Sequence, residues 1–310
     1  MVERAEAPPS ATLARGGLIE RFNALFLRSE ALRGYSLLAP TLLVMAGAMC
    51  VPLGLTIAYS FWTQDYQTID TTFTLENYRT AFERPIFETL MIRSLWISGA
   101  TTFLTVMLAY PIAYYVAFQV KRHKLVWIIL MTLPFWSSYL LRVFAWKLIL
   151  GYDGVINSSL IWLGIIGEPL TFILYNPIAI VVTLTHAWAA FAILPIYVSL
   201  EKIDRSLLEA ATDLGDGPVA RFLRVTLPLS LPGVIAASLV IFIPTVGDFV
   251  TPTLVGGPDG IMIANFIQHQ FGRSNNWPMG ATLSISSMVL VTVISLAYVF
   301  VTRKLTERIA

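Results

Sequence analysis

The sequence predicts an all-α membrane protein with six transmembrane helices. Three observations carry that prediction. The 310 residues are 56% hydrophobic and 13% charged, with a mean hydropathy of +0.70, which is more apolar surface than a soluble domain of this size can bury. Six stretches of about 20 residues or more lie between polar breaks, each long enough to cross hydrocarbon. The basic residues are concentrated in alternate connections, as expected where positive charge sets orientation in a bilayer.

In chain order, the first 34 residues form a tail without the short apolar region and small-residue cleavage site of a signal peptide. Residues 7–13 are expected to be disordered. Within 18–32, Leu18, Phe22, Leu25, Phe26 and Leu32 alternate with Glu20, Arg21, Arg28 and Glu30, which suits a short helix lying in the membrane interface. The spans are placed at 35–62, 91–118, 125–150, 177–200, 229–251 and 281–301. The first stands apart, and the other five form a core over 90–302 that encloses a charged segment at 201–228. Residues 303–310 are a terminal tail. Residues 63–90 and 151–176 are the longest connections on the other side, and both mix aromatic with polar residues.

Fifteen of the twenty-one Lys and Arg residues precede the first span or follow the second, fourth and sixth. Both termini and the 201–228 segment are therefore expected to be cytoplasmic. A net charge of +2 says little about soluble partners. Membrane lipid is an expected partner and nucleic acid is not. The single cysteine, Cys50, lies within the first span and excludes an intrachain disulfide.

Prolines mark most spans: Pro52, Pro111, Pro134, Pro195, Pro232 and Pro244. Each removes a backbone hydrogen bond and tends to bend its helix. Gly99, Ala100, Ala109 and Ala113 are small enough for close helix contacts. Charged residues inside spans are the sharper signal, since each costs free energy unless it meets protein or water. Asp248 sits near the end of the fifth span, and Arg142 and Lys147 in the third. The last two are about 140° apart on a helix and do not face one cavity. Two readings of Asp248 stay open: an ion pair with Arg142 that holds a gate, or a counter-ion for a cationic substrate. Trp136, Tyr139 and Phe249 are the aromatic candidates nearby. His186 reads as a hydrogen-bonded interior residue.

The charged segment has local structure of its own. Ser206, three residues before Glu209, has the form of a capping box, and the helix it starts should run to about Leu214, because Gly215 can take the left-handed closing conformation. Asp216 and Gly217 then turn the chain, and Pro218 suits the first position of a second helix. The expected result is a compact helix pair outside the membrane, with Leu207, Leu208, Ala211 and Leu214 on one apolar face.

No G-x4-G-K-[ST] phosphate loop, H-E-x-x-H metal motif or G-x-S-x-G nucleophile turn is present, and His123, His186 and His269 are scattered. The chain is thus expected to bind no ATP, metal or cofactor of its own and to be no enzyme. A secondary transporter would also suit apolar helices with Asp, Arg and His at depth, but leaves the charged helix pair without a purpose.

The string Glu209-Ala210-Ala211, then Gly215, then Val225-Thr226-Leu227-Pro228 resembles the EAA signature of the membrane-spanning subunits of binding-protein-dependent ABC importers, with Val225 in place of the more usual Ile. The resemblance extends from about residue 90 to 301. It implies a type I importer-like permease in which Glu209, Ala210, Ala211, Gly215, Leu227 and Pro228 dock on an ATPase that carries ATP and magnesium. It also implies a second permease subunit and an extracytoplasmic solute-binding protein. Two further strings, 133–146 and 247–257, resemble the polyamine branch. Spermidine or putrescine is the implied cargo, with an opine, another amine compound or iron as alternatives.

Overall fold

A computed structural model describes residues 30–309 with the exception of residue 67. The expected interfacial helix at 18–32 therefore lies outside the described residues apart from its last three positions. Those belong to α1, Glu30–Ser60. Compactness divides the chain within that helix, α1 as far as Thr56 forming one unit and everything from Ile57 onward a second. The described part of the first unit is an apolar helix containing Pro40 and Pro52, with no sustained polar face, as a helix surrounded by apolar material requires.

The second unit begins with the last turn of α1 and a hairpin of β1, Thr63–Asp65, and β2, Thr68–Asp70, paired antiparallel with Gln64 opposite Ile69. These short strands were not expected. After them come α2, Glu76–Glu83, and α3, Pro85–Gln119, whose last five residues are a π turn. The π turn follows Pro111, whose missing amide leaves the carbonyl four residues earlier unpaired. The remaining elements are α4, Lys124–Thr132, α5, Tyr139–Leu150, α6, Val155–Trp162, and α7, Pro177–Glu201, then α8, Arg205–Asp213, α9, Pro218–Val246, α10, Ile263–Gly272, and α11, Trp277–Ile309.

Among the described residues, five helices are long and apolar enough to cross a membrane, and there are six crossings if the bent pair α4 and α5–α6 counts as one broken span. The chain over Lys124–Trp136 meets that over Tyr139–Trp162 at 85°, so the predicted continuous third span at 125–150 is corrected to two arms. Pro134 lies in a 3-10 turn, Leu133–Trp136, and Ser137 is extended at φ −91° and ψ 141°. The proline forbids the regular helical bond, and the two serines after it let the chain leave the helical conformation. Two further boundaries move. The predicted tail at 303–310 is helical as far as Ile309, and the predicted fifth span starts earlier, at Pro218.

The interior is built by α3, α7 and α9. Ala109, Ala113 and Val116 of α3 pack with Ala192, Ile196 and Leu200 of α7 and with Ala237 and Ile241 of α9. Small residues let these helices approach closely, as in membrane bundles that lack a hydrophobic drive toward association. The tightest point is Gly233, where a Cβ would lie 2.4 Å from the Ser199 Cβ and 2.5 Å from the Pro195 carbonyl oxygen. Gly99, read from sequence as a contact residue, faces open space instead.

The connections at the other end of the bundle are clamped by side-chain amides. Asn157 is fully buried, donates to the carbonyls of Gly151 and Tyr152, and accepts from the Leu170 amide at 2.9 Å. Gln64 of the hairpin donates to the Asn275 carbonyl at 2.7 Å and accepts from the Trp277 amide, tying that hairpin to the start of α11.

Candidate functional site

The first candidate region is α8 with the turn that follows it. Its N-cap is Asp204, whose carboxylate accepts from the Ser206 amide at 3.0 Å, so the predicted capping box of Ser206 and Glu209 is not formed. A carboxylate two residues upstream reaches the free first-turn amides in better register than the Ser206 hydroxyl. The backbone and side-chain hydrogen bonds from Ser206 hold Asp204 below the usual carboxylate range. Glu209 is consequently free of any capping duty and exposed.

The helix ends as expected. Gly215 has φ +89°, and the Asp216 amide donates back to the Ala211 carbonyl at 3.0 Å, a closure that favours glycine because other residues resist positive φ. Pro218 occupies the first turn of the following helix. Arg224 Nη1 pairs with Asp216 Oδ1 at 2.8 Å and Arg221 Nη1 donates to the Thr212 hydroxyl at 3.0 Å, so the turn is laced to both its helices.

The second helix is not separate from the membrane bundle. It runs from Pro218 through a π turn at Phe222–Thr226 directly into the fifth crossing. Leu227 and Pro228 begin the regular part. Pro228 cannot bond the carbonyl of Arg224, and widening the preceding turn relieves the clash. Movement imposed on α8 would thus pass through one continuous rod to the interior of the bundle.

The predicted single apolar face of α8 divides in two. Leu208 and Glu209 line a cavity of about 420 Å³ with Tyr114, Phe118 and Gln119 at the end of α3, while Ala211, on another side of the helix, is buried. Leu207 and Leu214 are exposed, Leu214 at 87%, alongside Ala210. α8 is thus tied at its turn by Arg221 and Arg224, with its Leu208 and Glu209 side turned to the cavity and its Leu207 and Leu214 side bare. Lys124 braces this end from α4, with Nζ 2.5 Å from Glu201 Oε2.

The second region lies at the break after α9. Tyr139, the first residue of α5, donates its hydroxyl to Asp248 Oδ2 at 2.5 Å and lies 2.5 Å from the Thr251 hydroxyl. Asp248 Oδ1 accepts from the Val250 amide at 2.9 Å, starting a short helical turn that passes into the π turn Pro252–Gly256. The predicted ion pair between Asp248 and Arg142 is not formed. Arg142 Nη1 instead donates to the Ala187 carbonyl of α7 at 2.8 Å. Local amides and a tyrosine meet the carboxylate's acceptor capacity, and the arginine is drawn to a carbonyl on the helix it packs against.

Arg142 and Asp248 nevertheless line one cavity of about 250 Å³ with Tyr139, Trp188, Phe191 and Pro244. Phe135, Phe191 and Trp188 form a run of ring contacts, with centroids 4.2 Å and 5.0 Å apart, and Tyr139 continues it. Trp188 and Phe191 escaped the sequence reading, which attended to 133–146 and 247–257 and had no signal that α7 would supply the facing wall. Trp136 and Phe249 do not line this cavity; both rings are exposed, Trp136 at 88%. His186, expected inside and hydrogen-bonded, is exposed, with the Trp146 ring edge-on at 5.5 Å.

Long apolar helices and a laced polar turn with one bare helix face fit a membrane-embedded component. The chain belongs to the binding-protein-dependent transport system inner membrane component family, whose model matches residues 90–307. It is a multi-pass inner-membrane permease subunit of the ABC importer kind, and by that membership a transport component and not an enzyme. It is 36% identical over 249 residues, 80% of this chain and 86% of the other, to the spermidine/putrescine transport system permease protein PotB of Haemophilus influenzae. The PotB protein of Escherichia coli K12 is 33% identical over 82% of this chain and 92% of its own length. Among solved structures, a bacterial alginate ABC transporter in complex with a periplasmic protein bound to alginate pentasaccharide has a similar chain, with a TM-score of 0.67 at 20% identity over 93% of this chain and 99% of that one. At that identity the likeness speaks to the fold.

Proposed function

We propose that this subunit forms part of the translocation pathway for a polyamine and is driven by a separate ATPase subunit that binds α8. The observation that carries the coupling half is the bare side of α8. Leu207, Ala210 and Leu214 are exposed on that side and Glu209 is exposed at the mouth of the cavity beside it, and an amphipathic helix presented in this way fits a groove of a partner. The cargo assignment is supported by the spermidine/putrescine permeases that align with most of the chain.

ATP and magnesium would reside on that ATPase. Its closure would pull α8, and the continuous helix Pro218–Val246 would carry the displacement to the crossing that ends at Asp248, as a rigid-body step. The excess of basic residues beside α8 supports a cytoplasmic location for this end. The connections at 63–90 and 151–176 would then face an extracytoplasmic binding protein. A second permease, identical or homologous, would complete the pathway.

Glu209→Lys tests the coupling. The substitution sits on an exposed face without a capping role, so the complex should assemble and melt as the wild type does. ATP-dependent uptake of labelled spermidine by reconstituted complex should fall at least tenfold. Normal uptake by an assembled Glu209→Lys complex would remove α8 from the coupling path. Uptake of an unrelated solute with no competition from spermidine or putrescine would leave the coupling intact and refute the cargo.

A further inference from the structure

We propose that Phe222 is a positioning residue for coupling, which makes α3 follow α9 when α8 is displaced. The inference rests on the reading of α8 as the ATPase-binding helix and extends the path of the displacement beyond α9. Phe222 opens the π turn near the start of α9 and is half-buried. Its ring meets two tyrosines of α3 edge-on, with centroids 5.6 Å from Tyr110 at an interplanar angle of 90° and 6.3 Å from Tyr114 at 72°. Residues four apart on a helix share a face, so Tyr110 and Tyr114 form the two sides of one notch. Edge-to-face contacts of this kind contribute beyond the area they bury.

Ser230 closes the same joint two turns further along α9. It is fully buried, and its hydroxyl donates to the Leu227 carbonyl at 3.0 Å. That uses its single proton, so the Tyr110 hydroxyl, 2.7 Å away, is the donor to Ser230. Tyr110 is thereby held by two points of α9 that lie eight residues apart in sequence. On a regular α-helix such residues point about 80° away from each other. A π turn accommodates one extra residue, so eight positions act as seven and the divergence falls to about 20°. The π turn at Phe222–Thr226 therefore relieves Pro228 and also brings Phe222 and Ser230 onto the face that meets α3.

Packing alone accounts for a ring between two helices, but not for where this one sits. Tyr114 also lines the cavity bordered by Leu208 and Glu209, so the notch stands between α8 and the interior. Ala113 and Val116, beside Tyr114 on α3, belong to the core shared with α7. A displacement of the start of α9 would press Phe222 on the notch and carry α3 with it, instead of sliding one helix past the other.

Hydrogen exchange of the assembled complex, with and without ATP and vanadate to trap its ATPase subunits, tests this without reference to the cargo. In the wild type, trapping should change exchange over α8 and also over residues 110–119 of α3. Phe222→Ala should keep the α8 response and reduce that over 110–119 about fivefold, the size of one edge-to-face contact. Phe222→Tyr, which keeps the ring, should match the wild type. Phe222→Leu, which fills the space without a ring and stands in if the alanine variant does not assemble, should lose the 110–119 response as well. A merely structural role would alter exchange at rest and leave the response to trapping intact. No response over α8 in the wild type would overturn both the coupling reading and this inference. A wild-type response over α8 with none over 110–119, or an undiminished 110–119 response in Phe222→Ala or Phe222→Leu, would overturn this inference alone.

Discussion

The two ends of α9 are organised by contacts of different range. At its start, the bonds that shape the turn join residues close in sequence: Asp204 to Ser206, Thr212 to Arg221, Asp216 to Arg224. At its finish, Tyr139 reaches Asp248 across 109 positions and Thr251 across 112, and Arg142 reaches Ala187 across 45. The near end is thus a self-contained turn that can transmit a push without repacking. The far end exists only when the broken third crossing, α7 and the segment after α9 are all in place.

That contrast sets the expected sizes of perturbations. The largest belongs to the far end. Asp248→Ala strands the Tyr139 hydroxyl and the Val250 amide together, and should cost about 3 kcal/mol in chemical or thermal unfolding of the purified protein. A loss under about 1 kcal/mol would mean that this knot does not hold the two breaks together. Tyr139→Phe removes the hydrogen bonds of that hydroxyl to Asp248 and Thr251 and should cost about 2 kcal/mol. In a double-mutant cycle with Asp248→Asn, the two should couple by about 1 kcal/mol; strict additivity would separate Tyr139 from Asp248.

Smaller effects are expected at the near end, and they should stay local. Gly215→Val forces a branched side chain to φ +89° at a cost of about 1 to 2 kcal/mol. Hydrogen exchange should quicken over α8 alone, with the α7 core unchanged; exchange spreading into α7 would show that the turn is not autonomous. The smallest effect is set by pH. The lowered pKa of Asp204 means that its contribution to the α8 cap is present above the unfolded carboxylate value and is lost as pH falls through the lower folded one. Protection of the Ser206 amide should weaken over that acidic range in the wild type. It should stay level in Asp204→Asn, which caps without titrating.

The same contrast explains what could be read in advance. Segment order and the α8 turn depend on runs of apolar residues and on short-range chemistry at Gly215 and Pro218, and these were legible. The capping residue was misplaced by two positions because Asp204 and Ser206 both suit an N-cap, and only backbone geometry distinguishes them. The break at Ser137 was signalled by Pro134, but prolines at Pro111, Pro195 and Pro232 interrupt no crossing. Whether a proline bends or breaks depends on what neighbouring helices offer to the freed carbonyl. The amphipathic α10, and the hairpin before α2, are too short to rise above the pattern of the connections that contain them.

Taken alone, the amino-acid sequence determined that this chain is a multi-pass helical protein with a polar helical turn between its fourth and fifth crossings, because hydrophobic run length and turn chemistry act between near neighbours. Only the tertiary structure decided that Asp248 is held by Tyr139 and not by Arg142, that Trp188 and Phe191 complete the cavity between them, and that Gly233 is where α9 presses on α7. Those outcomes depend on which side chains meet across a hundred residues or more, or across two helix faces whose rotation is set by packing, and no spacing along the chain encodes that directly.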